Sequence, residues 1–259
     1  MGILTAADPN LVPSLLDQPP ALRFSVVALS AGWPEDLRRL TGSLERHCSN
    51  VDYEVVAVSN ASDALATEIE RLAAADPRVG GICFSQHVGF GGGVNAGIHQ
   101  SRGEVVVVAD TSIEATGDLF TPLGAALADP EVGIAGPWGL LSPDLRHFDE
   151  ETTGDVDAMQ AYCMAFRRTD VAEVGLLEAK FKFYRNADIE YSLRWRSFGF
   201  RISALPLPVR RHAHREWDAL GEEQRRKRSR DNFARFLRAW GDRTDLLTGR
   251  APPHVHDDA

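Results

Sequence analysis

The residues best placed to do chemistry stand where apolar runs end. Glu104-Val-Val-Val-Val-Ala109 is followed at once by Asp110-Thr111-Ser112. A run of that kind reads as a buried strand, and open parallel sheets bind ligands beyond the carboxyl ends of their strands. Asp110 is then either a ligand contact or a turn residue that stabilises the loop. Ser30, after Phe24 to Leu29, and Ser59-Asn60, after Tyr53 to Val58, fall at the same edge. The segment Gln86-His-Val-Gly-Phe-Gly-Gly-Gly-Val-Asn-Ala-Gly97 carries the densest glycine run. Glycine permits positive φ and close backbone approach, and free amides at a helix start favour an anion such as a diphosphate. Gly92, Gly93 and Asn95 are the candidates there, and a plain tight strand-to-helix connection is the alternative. The run is not the dinucleotide fingerprint, which follows a first strand, and no Gly-Lys-Ser/Thr makes it a phosphate loop.

Two histidines, His212 and His214, are one residue apart in an extended segment, so both can face one side. They are candidate ligands for a metal or a diphosphate; otherwise they are surface residues. His254 and His256 lie in a loose tail and read as solvated. Trp138, in a segment rich in proline and glycine, either stacks on a sugar or packs in the core.

The elements that must position these groups follow from hydrophobic period. After residues 1–21, read as an irregular lead-in broken by Pro9, Pro13, Pro19 and Pro20, the chain alternates short apolar β-branched runs with helical patterns. Leu37, Leu40 and Leu44 fall on one helical face behind Pro34, and Leu65, Ile69 and Leu72 on another. This alternation predicts an α/β fold with a mostly parallel central sheet flanked by helices. Beyond Asp110 the rhythm slows. The spacing predicts a long loop over 136–154, a strand over 157–166, a helix over 188–198, a strand over 200–205 and a helix over 217–240. Arg225-Arg-Lys-Arg228, Arg230, Arg235 and Arg238 interleave with Phe233, Phe236, Leu237 and Trp240 in that last helix. Such a helix either rests on anionic lipid, giving peripheral membrane contact, or docks its aromatic side on the domain with arginines in water.

Composition narrows the class. With 259 residues, 44% hydrophobic and 25% charged, the chain has ample material for one large domain. A formal net charge of −9 argues against nucleic-acid partners. Cys48, Cys83 and Cys163 have neither zinc nor redox spacing, which predicts a reducing compartment. No signal peptide or membrane span is legible, so a cytoplasmic or membrane-peripheral location is expected.

Taken together, Gly89-Phe-Gly-Gly-Gly-Val-Asn95-Ala-Gly97, then Gly103-Glu104 and a strand ending in an acid, resemble the central pattern of family 2 glycosyltransferases of the GT-A fold. Val58-Ser-Asn-Ala-Ser-Asp63 resembles the family's second-strand motif. Val174-Gly-Leu-Leu-Glu178, Phe181, Tyr184, Asp188-Ile-Glu190, Arg194 and Gly199 resemble its catalytic segment, in the rhamnosyltransferase-like branch. The resemblance runs from about residue 22 to 217. It implies a nucleotide-binding half at about 22–114, an acceptor half at about 115–217, and an extension at 218–259 holding a helix and tail.

It further implies a nucleoside diphosphate sugar as donor and a saccharide, lipid-linked or other hydroxyl acceptor. Asp188 would be the general base of an inverting transfer, unless it only opens the helix after it. Asp110 would sit by the ribose, the diphosphate and a divalent cation, Mg²⁺ or Mn²⁺. Trp138 and Glu190 are candidate acceptor contacts. Two positions depart from the family's pattern: Ser59 stands where an acid usually begins the second-strand motif, and Ser112 ends the Asp-x-Asp element without its second carboxylate. Glu114, His212 or His214 are possible substitutes in a metal site. These departures keep a non-catalytic sugar- or nucleotide-binding protein as the rival. A sugar-phosphate nucleotidyltransferase would want a basic glycine-rich loop after the first strand, and Ala28-Leu-Ser-Ala-Gly-Trp-Pro34 has no basic residue.

Overall fold

The computed structural model describes residues 2–30 and 32–250. His254 and His256 therefore lie outside the described residues. Along the first half run β1 (Ile3–Ala6), β2 (Leu22–Ser30), α1 (Pro34–Cys48), β3 (Tyr53–Asn60), α2 (Asp63–Ala75), β4 (Val79–Phe84), α3 (Phe90–Gln100) and β5 (Gly103–Asp110). The second half is more broken. It runs β6 (Ile113–Ala115), α4 (Phe120–Ala126), β7 (Val132–Gly136), β8 (Gly139–Leu141), β9 (Asp149–Glu151), β10 (Gly154–Val156), β11 (Ala158–Met159) and β12 (Cys163–Arg167). After these come α5 (Val171–Val174), α6 (Ala187–Ser197), β13 (Arg201–Ala204), β14 (Val209–Arg211), α7 (Arg215–Ala219) and α8 (Glu222–Trp240).

One nine-stranded sheet carries the fold, in the order β1-β4-β3-β2-β5-β12-β7-β13-β10. Strands β1 to β5 pair only in parallel with one another, whereas β12 is antiparallel to both β5 and β7. The mostly parallel sheet expected from sequence is thus the one observed. Its strand order reverses at β2, with β3 on one side and β5 on the other, which opens a crevice beyond Ser30 and Asp110. Core side chains pack on both faces, so the runs in β2, β3 and β5 are apolar throughout rather than alternating.

Helix α3 lies unusually close to β2. A Cβ on Gly97 would stand 2.3 Å from Val27 Cγ1, and one on Gly93 would stand 2.7 Å from Leu29 Cδ1. Neither position has room for a side chain. Gly89, just before the helix, has φ +83°, which glycine adopts without the usual steric cost.

Four expectations about elements change. The lead-in is not wholly irregular: Ile3–Ala6 adds an edge strand parallel to β4, a length too short for period to reveal. Buried Arg168 also holds the carbonyls of Leu15 and Gln18. The loop over 136–154 contains β8 and β9, which pair with each other. The strand over 157–166 is interrupted at Gln160 to Tyr162, which leave the ladder between β11 and β12. The helix over 217–240 is two helices, separated at Leu220-Gly221.

Candidate active site

Asp110 and Asp188 line one cavity of about 600 Å³. Asp110 closes β5, where register with Leu29 of β2 fixes its backbone. Asp188 opens α6. The interruption between β11 and β12 joins the two: the Asp110 amide donates to the Tyr162 carbonyl at 3.0 Å, and the Ala161 amide donates to Asp188 Oδ2 at 3.2 Å. Asp188 Oδ1 accepts from the Ile189 amide at 3.0 Å. A continuous strand through 160–162 would have spent the Ala161 amide in a ladder.

The two acids are tuned in opposite directions. Burial pushes the Asp188 carboxyl up from its ordinary value, against the opposing pull of the Ala161 and Ile189 amides and the Arg185 charge. Burial would also raise Asp110, but the hydrogen bond and charge of His214, with the Ser112 amide at 2.7 Å, more than offset it and hold Asp110 below its ordinary value. His214 Nε2 is 3.2 Å from Asp110 Oδ2. Its Nδ1 accepts the Trp217 amide at 3.2 Å, as the cap of α7. An accepting Nδ1 puts the ring hydrogen on Nε2, so His214 donates to Asp110. Burial pulls the His214 pKa down, and Asp110 outweighs it and raises it.

Around the acids the cavity is aromatic and basic. Tyr162 and Tyr184 flank His214, with ring centroids at 5.9 and 4.5 Å. Arg146, Arg185 and Arg230 lie on its wall with Phe148 and Phe233. Helix α8 supplies Arg230 and Phe233. It is docked through buried Phe236 and through Asn232, whose Nδ2 donates to the Phe183 and Arg185 carbonyls at 2.8 Å each. Arg225, Arg228 and Arg235 lie over the rings of Trp217, Phe183 and Phe181. The docked alternative for this helix is the one observed, and it forms a wall of the site.

Glu216, two residues past His214, lines small recesses beside Asp110; burial raises its pKa, with His214 opposing and Asp110 adding to the rise. Ser30 and Ser112 line one of these recesses, and Asn60 the other. None of Tyr162, Tyr184, Arg185, Glu216, Arg230 and Phe233 was expected as a wall residue. The one available hint for Glu216 was its place two residues beyond His214.

Several candidates make structural contacts. Ser59 is buried and hydrogen-bonds to Ser62 at the turn into α2. Asn60 Oδ1 accepts the Val88 amide at 2.8 Å and so ties β3 to the glycine segment. Gly93 packs on Leu29, while Gly92 and Asn95 line a separate groove of about 340 Å³. Asn95 clamps Leu177 through both its amide and its carbonyl. The first amides of α3 are not free for an anion: Phe90 and Gly91 donate to the Lys182 and Phe181 carbonyls, each at 3.1 Å. Trp138 is buried edge-on to Tyr162 under Arg211, whose Cζ is 4.6 Å from its ring, and it does not line the cavity. Glu190 does not line it either; it pairs with Arg194 at 2.6 Å. His212 pairs with Glu114 at 2.9 Å.

Among the described residues no three His, Cys, Asp or Glu side chains gather around a cation-sized site. The oxygen donors that do fit a hard cation are the Asp110 carboxylate and the Ser112 hydroxyl, which is buried beside it without a hydrogen-bond partner. His214 would have to give up the Trp217 cap to turn a lone pair on Nε2 toward a metal.

Residues 26–175 match Glycosyl transferase family 2, a span of 150 residues in 259. The chain belongs to that family. No curated protein matches it. Among solved structures it is similar to GalNAc-T7 with UDP, GalNAc and Mn²⁺, at TM-score 0.72 and 15% identity, over 86% of this chain and 49% of that one. It is similar to the mannosyltransferase PcManGT from Pyrobaculum calidifontis in complex with GDP-Man and Mn²⁺, at TM-score 0.65 and 19% identity, over 96% and 68%. It is also similar to S. aureus TarS, at TM-score 0.58 and 14% identity, over 83% and 44%. At these identities the likeness establishes the fold, which is GT-A. The chain spans about half the length of GalNAc-T7 and less of TarS. No described helix is long and apolar enough to cross a membrane.

Proposed function

We propose that the chain is a nucleotide-sugar glycosyltransferase that transfers a hexose-type sugar with inversion, using Asp188 as general base. One observation carries the reading: two acids held in opposite protonation tendencies line a single cavity in a chain of this family. Pairs of titratable groups pushed apart in this way mark acid–base assignments. Asp188, desolvated and touched only by backbone amides, takes the proton of the acceptor hydroxyl. The hydroxyl oxygen bonds to the anomeric carbon as the bond from that carbon to the diphosphate oxygen breaks, and the electron pair leaves with the diphosphate. Inversion follows from this single displacement.

Asp110 stays ionised and belongs to the donor side, beyond the strand-order reversal. A divalent cation there would be held by Asp110 and Ser112, and when bound it neutralises charge on the departing diphosphate. His214 orients Asp110 through the tautomer that the Trp217 amide selects. The likeness of the catalytic segment to the rhamnosyltransferase-like branch remains part of this reading.

The test is transfer from a panel of UDP- and GDP-sugars to a broad acceptor set, by wild type and Asp188→Asn. Loss of transfer with retained donor binding is expected. Full activity in the variant removes Asp188 from the mechanism. Binding of donors by wild type with no turnover on any acceptor favours the rival binding protein, which the replacement of a carboxylate by Ser112 keeps in view.

A further inference from the structure

Most arginines of this chain pair with a carboxylate, and three that do not, among the described residues, line the cavity. Arg38, Arg71, Arg78, Arg102, Arg194 and Arg201, among others, each pair with a carboxylate. Arg146, Arg185 and Arg230 do not. Among the described residues the Arg146 guanidinium meets the Asp144 carbonyl, the Arg185 guanidinium lies over the Trp217 ring, and the Arg230 guanidinium has no hydrogen bond or ion pair. All three are exposed and all three line the cavity whose half-buried acids are Asp110 and Asp188. Three guanidinium groups on one wall, none in a salt bridge among the described residues, suit an anionic ligand.

Their neighbours specify more. Phe148 stands two residues from Arg146 and Phe233 three residues from Arg230, on the same helical face, and both rings line the cavity. Leu140 and Ile189 extend that apolar surface. On the same wall the Ser229 hydroxyl is shielded from solvent and has no partner. Arg146, Phe148, Arg230 and Phe233 all belong to segments after residue 115. The crevice at the carboxyl ends of β2 and β5 holds Ser30 and Ser112, and Asp110 lines both that crevice and the cavity.

We propose that this wall takes a phosphorylated amphiphile as acceptor: a hydroxyl-bearing molecule whose phosphate meets Arg146, Arg185 and Arg230 and whose apolar part lies on Phe148 and Phe233. The proposal rests on the glycosyl-transfer reading and names its acceptor. Guanidinium groups suit phosphate because they donate two parallel hydrogen bonds.

The test measures binding of octyl phosphate, inorganic phosphate and octyl glucoside, all below micelle-forming concentrations, to the full chain by calorimetry, with UDP and GDP titrated in parallel. Octyl phosphate is expected to bind more tightly than either of the other two. The double variant Arg146→Gln/Arg230→Gln is expected to weaken octyl phosphate by about 10- to 100-fold and to leave nucleotide affinity unchanged. Both positions are exposed, so folding is spared. Arg226→Gln/Lys227→Gln, on the outward side of α8, should change neither affinity. Octyl phosphate binding no better than inorganic phosphate or octyl glucoside overturns the proposal. So does a double variant that loses nucleotide affinity, since the arginines would then serve the donor. If neither UDP nor GDP binds wild type, the donor reading itself fails, and that outcome is distinct from failure with octyl phosphate alone.

Discussion

The Asp110 corner and the Asp188 corner of one cavity are built by opposite means. Asp110 ends a strand paired in register along its length, and both its carboxylate oxygens meet donors, one of them an imidazole. Asp188 begins a helix in the broken half of the chain and meets only backbone amides, from Ala161 and Ile189. The acid at the end of the regular half is held below its ordinary pKa by His214, which the irregular half supplies, and by Ser112. The irregular half yields a desolvated carboxyl pushed above its ordinary value. On the proposed reading the transfer uses both: an ionised carboxylate on the donor side, and a base able to accept a proton.

The sharpest way to break this comparison is to neutralise each acid in turn. Asp188→Asn should lower the transfer rate by about 10²- to 10⁴-fold with donor affinity retained, read by steady-state rates beside nucleotide titration. Asp110→Asn should weaken donor binding as well. If the two variants behave alike, the division of roles is wrong. Next in size is the cation. Chelation followed by Mn²⁺ re-addition should remove and restore about 100-fold of the rate. A rate indifferent to chelation would leave Asp110 with His214 alone.

Stability separates the halves more modestly. Gly97→Ala forces a methyl group into Val27 and should cost about 1–3 kcal/mol in denaturant unfolding. Asn232→Ala removes two hydrogen bonds that dock α8 and should cost about 1–2 kcal/mol, with the loss showing also in acceptor KM. The smallest effect is the most diagnostic. A carboxyl whose folded pKa is raised contributes stability that is full below its unfolded pKa and is lost as pH rises through the folded one. Asp188→Asn should therefore raise Tm slightly at pH values above the folded pKa, where wild type carries the buried charge. Asp110 has the lowered pKa, and its stabilisation, present above the unfolded value, is lost as pH falls through the folded one. Asp110→Asn should lower Tm at neutral pH. The rate should meanwhile rise with pH through the raised pKa of Asp188, since the base acts only when deprotonated.

Much of the frame was legible. The runs Phe24 to Leu29, Tyr53 to Val58 and Glu104 to Ala109 are strands because nothing else buries so many β-branched residues in so short a length. The polar residue closing such a run must emerge at the sheet's carboxyl edge, so Asp110 and Ser30 could be placed at the crevice. Asp188 could be found through the pattern around it. The glycine segment was misleading in detail, because glycine looks the same in sequence whether it admits a phosphate or a neighbouring strand. Here Gly93 and Gly97 admit Leu29 and Val27, and the 181–182 carbonyls take the first α3 amides.

Period and propensity are local properties, so the sequence by itself determined the parallel sheet, the helices on its faces and the acid at the end of β5. The cavity wall is made of single side chains from separate segments: Tyr162 in a strand break, Arg146 in a hairpin loop, Arg230 and Phe233 on a docked helix, with Glu216 of a one-turn helix in the recess beside it. Only tertiary packing brought them together. Burial itself, which pushes Asp188 up while His214 holds Asp110 down, is a property of neighbours distant in the chain, and no local pattern encodes it.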